Sequence, residues 1–310
     1  MPPVITHPSA VKDMVLGTGL CILTFAVSYT FPLLGVFALL LLPLPVLYFR
    51  LKLGRNSGGI IALTSFLVLL VMSGGVAFDT LYFGALLMTG LFLGECIEQQ
   101  CGIEKTMVVT VGGVVALALA AFGVYAAFQA QGIREIIGNY ISQYLSLTAA
   151  LYTDMGIEPA QIGALNAAFV VVMPGMFIVS YMTTVWLNVL IIKRLLARIG
   201  IRLKNLAGLN RFKAPAPLVW AVIGFGVLLA LPVGPVKYVG INCLIVLMLI
   251  YFFQGIAVIS FYFQKKNSPT FLKVFCYGLI AVQIYFLILV VGLGFFDHWI
   301  NFRKLEMQKE

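Results

Sequence analysis

Residues 193–213 read KRLLARIGIRLKNLAGLNRFK, and this stretch determines how the rest of the chain is arranged. It holds seven Lys and Arg residues and no acidic residue. Apolar stretches long enough to span a membrane lie on both sides of it. Loops rich in Lys and Arg stay on the cytoplasmic side of a membrane. The stretch therefore predicts a cytoplasmic connector that fixes the direction of every membrane-spanning segment.

Apolar residues in this connector have helical spacing. Those on one helical face are Leu196, Ile199, Leu203 and Leu206. The pattern indicates a helix on the inner membrane surface, or a handle for a cytoplasmic partner. The candidates for binding lipid or a partner are Arg198, Arg202, Lys204 and Arg211. An ordinary basic loop is the alternative, because Gly200 and Gly208 weaken a helix.

The composition places the chain among helical membrane proteins. It has 310 residues, of which 62% are hydrophobic and only 10% charged, and soluble proteins do not combine these values. The net charge of +9 indicates membrane topology and contact with anionic lipid, and no basic patch on a soluble domain points to nucleic acid. The five cysteines contain no C-x-x-C pair and predict neither a disulfide framework nor a metal site. We predict an all-α, polytopic bundle of membrane helices.

About nine membrane-spanning segments are predicted, with the N-terminus in the cytoplasm. Their approximate limits are 11–30, 33–49, two segments within 57–97 divided at Gly74-Gly75, 106–129, 164–192, 216–231, 237–263 and 274–296. This order puts 15 of the 20 Lys and Arg residues inside. The last crossing has the weakest support, since it puts Arg303, Lys304 and Lys309 outside. An eight-segment version, with the first two segments as a shallow hairpin, is the alternative.

Small residues and a proline mark the places where helices should pack closely or bend. Gly90 and Gly94 form a GxxxG pattern, which allows helix backbones to approach each other. Small residues recur at every fourth position within 106–129, and they predict a helix packed in the middle of the bundle. Pro174 removes a backbone donor from the sixth segment. It predicts either a packing kink or a discontinuous helix whose freed backbone groups bind substrate.

A candidate site for a small molecule lies on the outer side. Residues 130–163 are more polar and contain apolar residues with helical spacing, so we expect an amphipathic helix on the outer face. Intramembrane polar residues are costly unless they have partners, which makes them candidates for function. The substrate-binding candidates are Asp79, Tyr144, Asn166, Tyr181 and Asn188. The structural alternatives are helix capping by Asp79, hydrogen bonding between helices by Asn188 and Gln254, and interfacial anchoring by the tyrosines.

Signatures of catalysis are absent from the sequence. It has no G-x-x-x-x-G-K-[ST] motif, so the chain is not itself a nucleotide-driven motor. Its two histidines, His7 and His298, lie near the ends and leave no histidine in the bundle for a metal-hydrolase or Ser–His site. Asp79 and Glu95 are about 24 Å apart along a helix, which is too far for an aspartyl dyad. We predict no enzyme activity, no cofactor and no bound metal.

Several stretches together carry a resemblance to a known family. They are LPLPVLYFRLKLGRNSGGI at 42–60, VMPGMFIVSYMTTVWLNVLIIKRLLARIG at 172–200, NRFKAPAPLVW at 210–220 and YFFQGIAVISFYFQKKNSP at 251–269. In this order they resemble the YybS-like family of bacterial inner-membrane proteins, a family whose function is not established. The resemblance covers most of the chain. It implies a multi-pass protein of the bacterial cytoplasmic membrane and little else.

The chain is also similar, more distantly, to the substrate-binding S components of energy-coupling-factor vitamin transporters. Those proteins are six-helix bundles with both ends in the cytoplasm, which capture vitamins or metal ions from outside. Residues 1–198 fit that outline as a six-span core, and the predicted connector at 199–215 and a three-span extension at 216–310 follow it. The extension departs from that outline. Gly17 and Cys21 are a poor version of the small-residue docking pattern that S components carry on their first helix.

Two functions are therefore expected from the sequence. The first is a small-molecule, vitamin-like substrate-capturing transport component, energised by a separate ATPase or coupling module. The second is a non-transporting membrane scaffold whose basic loops recruit a cytoplasmic or cell-envelope partner. A polar-lined pocket under residues 130–163 favours capture, and a solid bundle favours the scaffold.

Overall fold

The computed structural model describes residues 8–128, 159–201, 208–231 and 233–303, together with positions 138, 141, 142, 146 and 203. Within these residues the regular structure is helical, as the composition predicts. The helices are α1 (Pro8–Thr30), α2 (Pro32–Leu41), α3 (Pro43–Leu53), α4 (Arg55–Met72), α5 (Phe78–Glu98), α6 (Ile103–Phe128), α7 (Pro159–Arg198), α8 (Pro217–Ala230), α9 (Gly234–Lys265), α10 (Thr270–Val282) and α11 (Ile284–Ile300). A 3-10 turn at Leu209–Arg211 precedes α8.

Among the described residues, the helices that could cross a membrane number seven or eight, compared with the predicted nine or eight. Seven stretches of the described residues are long and apolar enough to cross a membrane, and α2 and α3 together form one of them. Helix α8 has 14 residues and a length of about 21 Å, which is less than the hydrocarbon core of about 30 Å. Helices α10 and α11 make an eighth crossing only if they count as one span bent by 104°. The protein is nevertheless an all-α, polytopic membrane protein, as predicted.

The chain forms two compact units. The first contains residues 1–148 and 180–207, and the second contains residues 149–179 and 208–310. Helix α7 contributes to both. The division predicted at residues 198 and 215 stays a prediction.

In the first unit, two predictions from glycine patterns are confirmed. The break between α4 and α5 falls at Gly74 and Gly75, both of which have positive φ. The GxxxG pattern of α5 faces α3, because a Cβ atom on Gly90 would lie 2.6 Å from the carbonyl oxygen of Pro43. Only a residue without a side chain fits this contact.

The prediction for α6 is wrong. The small residues Gly112, Ala116 and Ala120 lie on an exposed face of this helix, and a Cβ atom on Gly112 would meet nothing within 4 Å. The residues that α6 buries are Thr106, Met107, Thr110, Val114 and Ala126. Small residues permit close packing, but apolar burial against α5 decides which face turns inward.

In the second unit, the amide of Asn242 on α9 enters the backbone ladder of α7. Pro174 has no N–H, and the N–H of Gly175 donates to Asn242 Oδ1 at 2.5 Å. Asn242 Nδ2 in turn donates to the carbonyl oxygen of Val171 at 2.8 Å. The amide therefore bonds to two backbone groups of α7 beside the proline.

Two glycines bring α9 and α11 together. A Cβ atom on Gly255 would overlap the carbonyl oxygen of Val290, and one on Gly294 would overlap the carbonyl oxygen of Tyr251. The rings of Tyr251 and Phe295 meet edge to face beside this crossing, with centroids 5.1 Å apart. The crossing fixes α11 against the C-terminal half of α9.

Helices α10 and α11 begin and end at the same end of α9. Helix α10 starts five residues after Lys265, and the hydroxyl of Tyr262 donates to the carbonyl oxygen of Phe302 at 2.8 Å. Arg303 donates to the carbonyl oxygen of Asn210 in the basic connector at 3.0 Å. Arg303 therefore lies beside the connector, whereas the nine-segment order predicted the two on opposite sides of the membrane. Both ends of the α10–α11 pair lie at one end of α9, an arrangement that fits a re-entrant loop.

The connector is not one continuous helix. Helix α7 ends at Arg198, Gly200 has a φ of +83°, and Leu203 is not helical. Gly200 therefore ends the apolar face predicted from Leu196 to Leu206, as a glycine with positive φ commonly does. Most of the amphipathic helix predicted at 130–163 lies outside the described residues.

Candidate functional site

A buried arginine joins α3, α4 and α5 in the first unit. Arg50 is 3% exposed at the last turn of α3. Its Nη1 donates to the carbonyl oxygen of Leu91 at 2.8 Å. Its Nη2 donates to Glu95 at 2.5 Å and to Glu98 at 2.8 Å, and its Nε donates to Glu98 at 3.2 Å. We call Arg50, Glu95 and Glu98 the Arg50 cluster.

Glycines make room for this arginine. A Cβ atom on Gly94 would overlap the Arg50 side chain, and one on Gly58 would press on the same side chain from α4. Glu95 and Glu98 lie three residues apart, so both carboxylates reach the same side of α5. The cluster therefore holds three helices in register at one end of the first unit.

Arg55 brings a second positive charge to this end. It begins α4, its side chain is 72% exposed, and its Nη2 lies 3.4 Å from Glu95. An exposed ion pair of this kind contributes little to stability. Because most of the Arg55 side chain is exposed, N–H groups of its guanidinium can bind a ligand.

A groove runs from this charged end along α5, between α4 and α6. Its mouth is a cavity of about 860 Å³ lined by Arg50, Arg55, Asn56 and Glu95 together with apolar residues. The mouth shares Gly59, Leu63, Met88 and Leu91 with the next cavity.

The body of the groove is apolar. It has a volume of about 320 Å³, and small residues form much of its wall. These residues are Gly59, Ala62, Gly84, Ala85, Ala118 and Ala121. Leu81 and Ala121 also line a third cavity of about 530 Å³, which extends to Phe128 at the end of α6. We call the three cavities the α4–α6 groove. It combines a charged end with an apolar length, which suits an amphipathic molecule.

A second polar cluster lies in the second unit. Arg303 Nη2 donates to Asp297 Oδ2 at 2.7 Å, and the two side chains are 0% and 1% exposed. Gln254 Nε2 donates to the same oxygen at 3.0 Å, and Gln254 Oε1 accepts from the N–H of Ala214 at 2.9 Å. We call Asp297, Arg303 and Gln254 the Asp297 cluster. The prediction that Gln254 bonds between segments, rather than lining a cavity, is supported by these contacts.

The sequence matches the family described as "Predicted membrane protein (DUF2232)" over residues 19–298. The chain belongs to this family. The membership is consistent with the resemblance to YybS-like proteins. No curated protein and no solved structure matches the chain. The family match includes the Arg50 cluster and Asp297, and it ends before Arg303.

The predicted substrate-binding residues lie away from the α4–α6 groove. Asp79 is exposed in the first turn of α5, and Tyr181 is buried with its ring edge to face against Tyr82, the centroids 6.0 Å apart. Asn166 is half-buried in the part of α7 that belongs to the second unit. Tyr144 lies outside the described residues. None of the candidates within the described residues lines this groove.

Asn188 has the best-defined surroundings of these candidates. It is fully buried, and its Nδ2 donates to the carbonyl oxygens of Leu40 and Thr184, each at 2.7 Å. Its Oδ1 accepts no hydrogen bond from the described residues. Hydrogen bonding between helices therefore accounts for the nitrogen of this amide but not for its oxygen.

Of the four residues predicted to bind lipid or a partner, two lie within the described residues. Arg198 and Arg211 are exposed, as such a role requires. Arg202 and Lys204 lie outside the described residues.

The sequence did not lead us to predict that either charged cluster joins separate segments of the chain. Glu95 was considered only as a partner for Asp79, although the spacing of three between Glu95 and Glu98 allows a shared partner. Asp297 follows an apolar run at the end of a segment, and its type alone gives no sign of Arg303 or Gln254. Pairing across 43 residues, as between Gln254 and Asp297, leaves no local pattern.

Proposed function

We propose that this integral membrane protein captures an amphipathic small molecule in the α4–α6 groove, as the substrate-binding component of a transport system. The α4–α6 groove supports this proposal because its charged mouth opens directly into an apolar body. A vitamin-like compound with an anionic group and an apolar part matches both regions. The charge pattern of the loops and the resemblance to YybS-like proteins favour the bacterial cytoplasmic membrane.

Arg55 is the residue best placed to select the polar group of such a ligand. Arg50 is already bonded to a carbonyl oxygen and two carboxylates, whereas most of the Arg55 side chain is exposed. Guanidinium donors bind carboxylate and phosphate groups with two parallel hydrogen bonds. Arg55 would hold the anionic group, and the small residues of α4, α5 and α6 would enclose the apolar part.

Transport requires an energy source outside this chain. The sequence carries no P-loop motif, so a partner ATPase, a coupling module or an ion gradient would supply it. The candidate residues Asp79, Tyr144, Asn166, Tyr181 and Asn188 remain a proposal for a separate outer site. This outer site is supported by Asn188 Oδ1, which accepts no hydrogen bond from the described residues.

The test is binding of a fluorescent fatty acid, dansyl-undecanoic acid, to the full chain in nanodiscs. Ala121→Phe places a ring inside the α4–α6 groove, and Ala120→Phe places the same ring on the exposed face of α6. We expect Ala121→Phe to weaken binding at least tenfold, with Ala120→Phe unchanged. Equal affinity of the two variants would refute the groove as the site.

A scaffold function is favoured by one observation, the exposed small-residue face of α6. Small residues at every fourth position suit close contact with another membrane helix. A scaffold would bind a partner protein there without a small molecule. Purification from the native membrane followed by mass spectrometry separates the two functions. An associated ATPase or small molecule favours capture, and an envelope or cytoplasmic partner without a small molecule favours the scaffold.

A further inference from the structure

Helix α10 exposes an apolar face that the second unit leaves uncovered. Phe271, Val274, Phe275 and Val282 are between 54% and 81% exposed. Their spacing places all four on one side of the helix. On the other side Ile280 is buried, and the ring of Tyr277 meets Phe263 of α9 edge to face. The helix is therefore fixed to α9 on one side and open along the other.

Three lysines surround the start of this helix. Lys265 ends α9, Lys266 follows it, and Lys273 lies in the first turn of α10. Lys265 and Lys266 are exposed, and Lys273 is half-buried. None of the three forms an ion pair with the residues that the structure describes.

The described residues of α9 and α10 contain no acidic partner for these lysines. Residues 159–296 contain no Asp or Glu, and Asp297 already binds Arg303. Three positive charges without an ion pair among the described residues, beside an apolar surface, match a molecule with a negative head and apolar chains. An anionic phospholipid of the adjacent leaflet has this chemistry.

The turn between α9 and α10 holds the lysines in a defined position. The N–H of Lys266 donates to the carbonyl oxygen of Tyr262 at 2.9 Å, and that of Ser268 donates to Phe263 at 3.0 Å. Asn267 between them has a φ of +47°. These contacts close the end of α9 tightly and direct the chain into α10.

We propose that this corner binds an anionic phospholipid. The exposed ammonium groups of Lys265 and Lys266 hold the phosphate, Lys273 adds positive charge from the other side of the first turn of α10, and the open face of α10 lies along the acyl chains. Long lysine side chains reach the headgroup level while their stems follow apolar surface. The site is distinct from the α4–α6 groove and does not depend on the proposed function.

Native mass spectrometry of the full chain tests the site, with palmitoyl-oleoyl phosphatidylglycerol as the probe and the phosphatidylcholine analogue as the neutral reference. We expect phosphatidylglycerol to bind more tightly than phosphatidylcholine. The triple variant Lys265→Gln, Lys266→Gln, Lys273→Gln should weaken phosphatidylglycerol binding roughly tenfold or more. Binding of phosphatidylcholine should not change.

Two control variants keep the test specific. Lys237→Gln removes an exposed lysine from the first turn of the same helix α9, at its opposite end, and should leave binding unchanged. Replacing the three lysines by arginine keeps the charge and should retain binding, while thermal melting checks that every variant is folded. The proposal is overturned if the triple Gln variant binds as wild type does, or if Lys237→Gln loses as much. It is also overturned if glycerol 3-phosphate competes fully, since that result indicates a site for a soluble anion.

Discussion

The Arg50 cluster and the Asp297 cluster each pair an arginine with carboxylate groups, but the two pairs differ in their exposure to solvent. Arg50 is buried, but its partners Glu95 and Glu98 keep side-chain exposures of 30% and 35%. Arg303 and Asp297 are both fully enclosed. Each arginine also donates to a backbone carbonyl oxygen, of Leu91 in one cluster and Asn210 in the other.

The difference shows that a similar pair of groups can have different consequences for stability. Water screens the half-exposed carboxylates of the Arg50 cluster, so the loss of one partner is partly compensated. The enclosed Asp297 cluster has no such compensation, and a single surviving charge would be stranded without solvent. The first cluster aligns three helices, and the second ties the end of the chain to the connector and α9.

The largest effect is expected from Asp297→Ala. The substitution leaves the Arg303 guanidinium enclosed without its counter-charge, and this should lower the free energy of unfolding by about 3–5 kcal/mol. Steric trapping in bicelles measures the change. The double variant Asp297→Asn with Arg303→Gln removes both charges and should recover part of the loss. A loss below about 1 kcal/mol for Asp297→Ala would place this pair in the same class as exposed pairs.

A smaller effect is expected at the helix crossing that supports the Asp297 cluster. Gly294→Ala puts a methyl group against the Tyr251 backbone and should lower the free energy of unfolding by about 1–3 kcal/mol. Gly292→Ala lies on the same helix, where a Cβ atom would meet nothing within 4 Å. It should be neutral, or stabilising by up to about 1 kcal/mol. Thermal melting of the two variants side by side checks the contrast, and equal melting temperatures would contradict the crossing.

The smallest effect is expected from Arg50→Lys. Lysine keeps the charge but cannot reproduce the hydrogen bonds that the guanidinium makes to Leu91 and to both carboxylates. We therefore expect the free energy of unfolding to fall by about 1–2 kcal/mol. Arg55→Lys is the matched control at the exposed position and should change stability by less than about 0.5 kcal/mol. Unfolding in a titration with sodium dodecyl sulfate measures both variants. If Arg50→Lys loses as much as Asp297→Ala, burial of the carboxylates does not distinguish the clusters.

Much of the fold could be predicted from the sequence because membrane helices are marked locally. The length of the apolar runs predicted the segments, and Gly74 and Gly75 predicted the break between α4 and α5. The GxxxG pattern predicted a close contact with another helix but not that this helix is α3. Pro174 marked an interruption in the backbone ladder of α7. Each of these signals lies within one or two helical turns of the feature that it predicts.

The remaining features depend on contacts that are distant in sequence. A row of small residues has the same sequence pattern on a face that meets a helix and on a face that meets lipid. The face of α6 that packs against other helices was therefore predicted wrongly. Apolar length also cannot distinguish a crossing from a re-entrant hairpin. For α10 and α11, the contacts of Tyr262 and Arg303 place both ends of the pair at one end of α9.

The candidate site was predicted least well. The polar residues singled out for substrate binding do not line the α4–α6 groove, whose walls are mostly glycine, alanine and other apolar residues. Such residues carry no chemical signature when read singly. Nothing in the sequence singles out Arg55, because its position at the mouth depends on α4 and α5 packing together.

The amide of Asn242 has a consequence for the order in which the protein is made. The hydrogen bonds that it makes to α7 come from a residue 67 positions later in the chain. At about 5–20 residues per second, a ribosome needs roughly 3–13 seconds to synthesise that interval. During this time α7 lacks the bonds from Asn242 to the N–H of Gly175 and the carbonyl oxygen of Val171. Biogenesis of the second unit is thus completed only when α9 has followed α7 into the membrane.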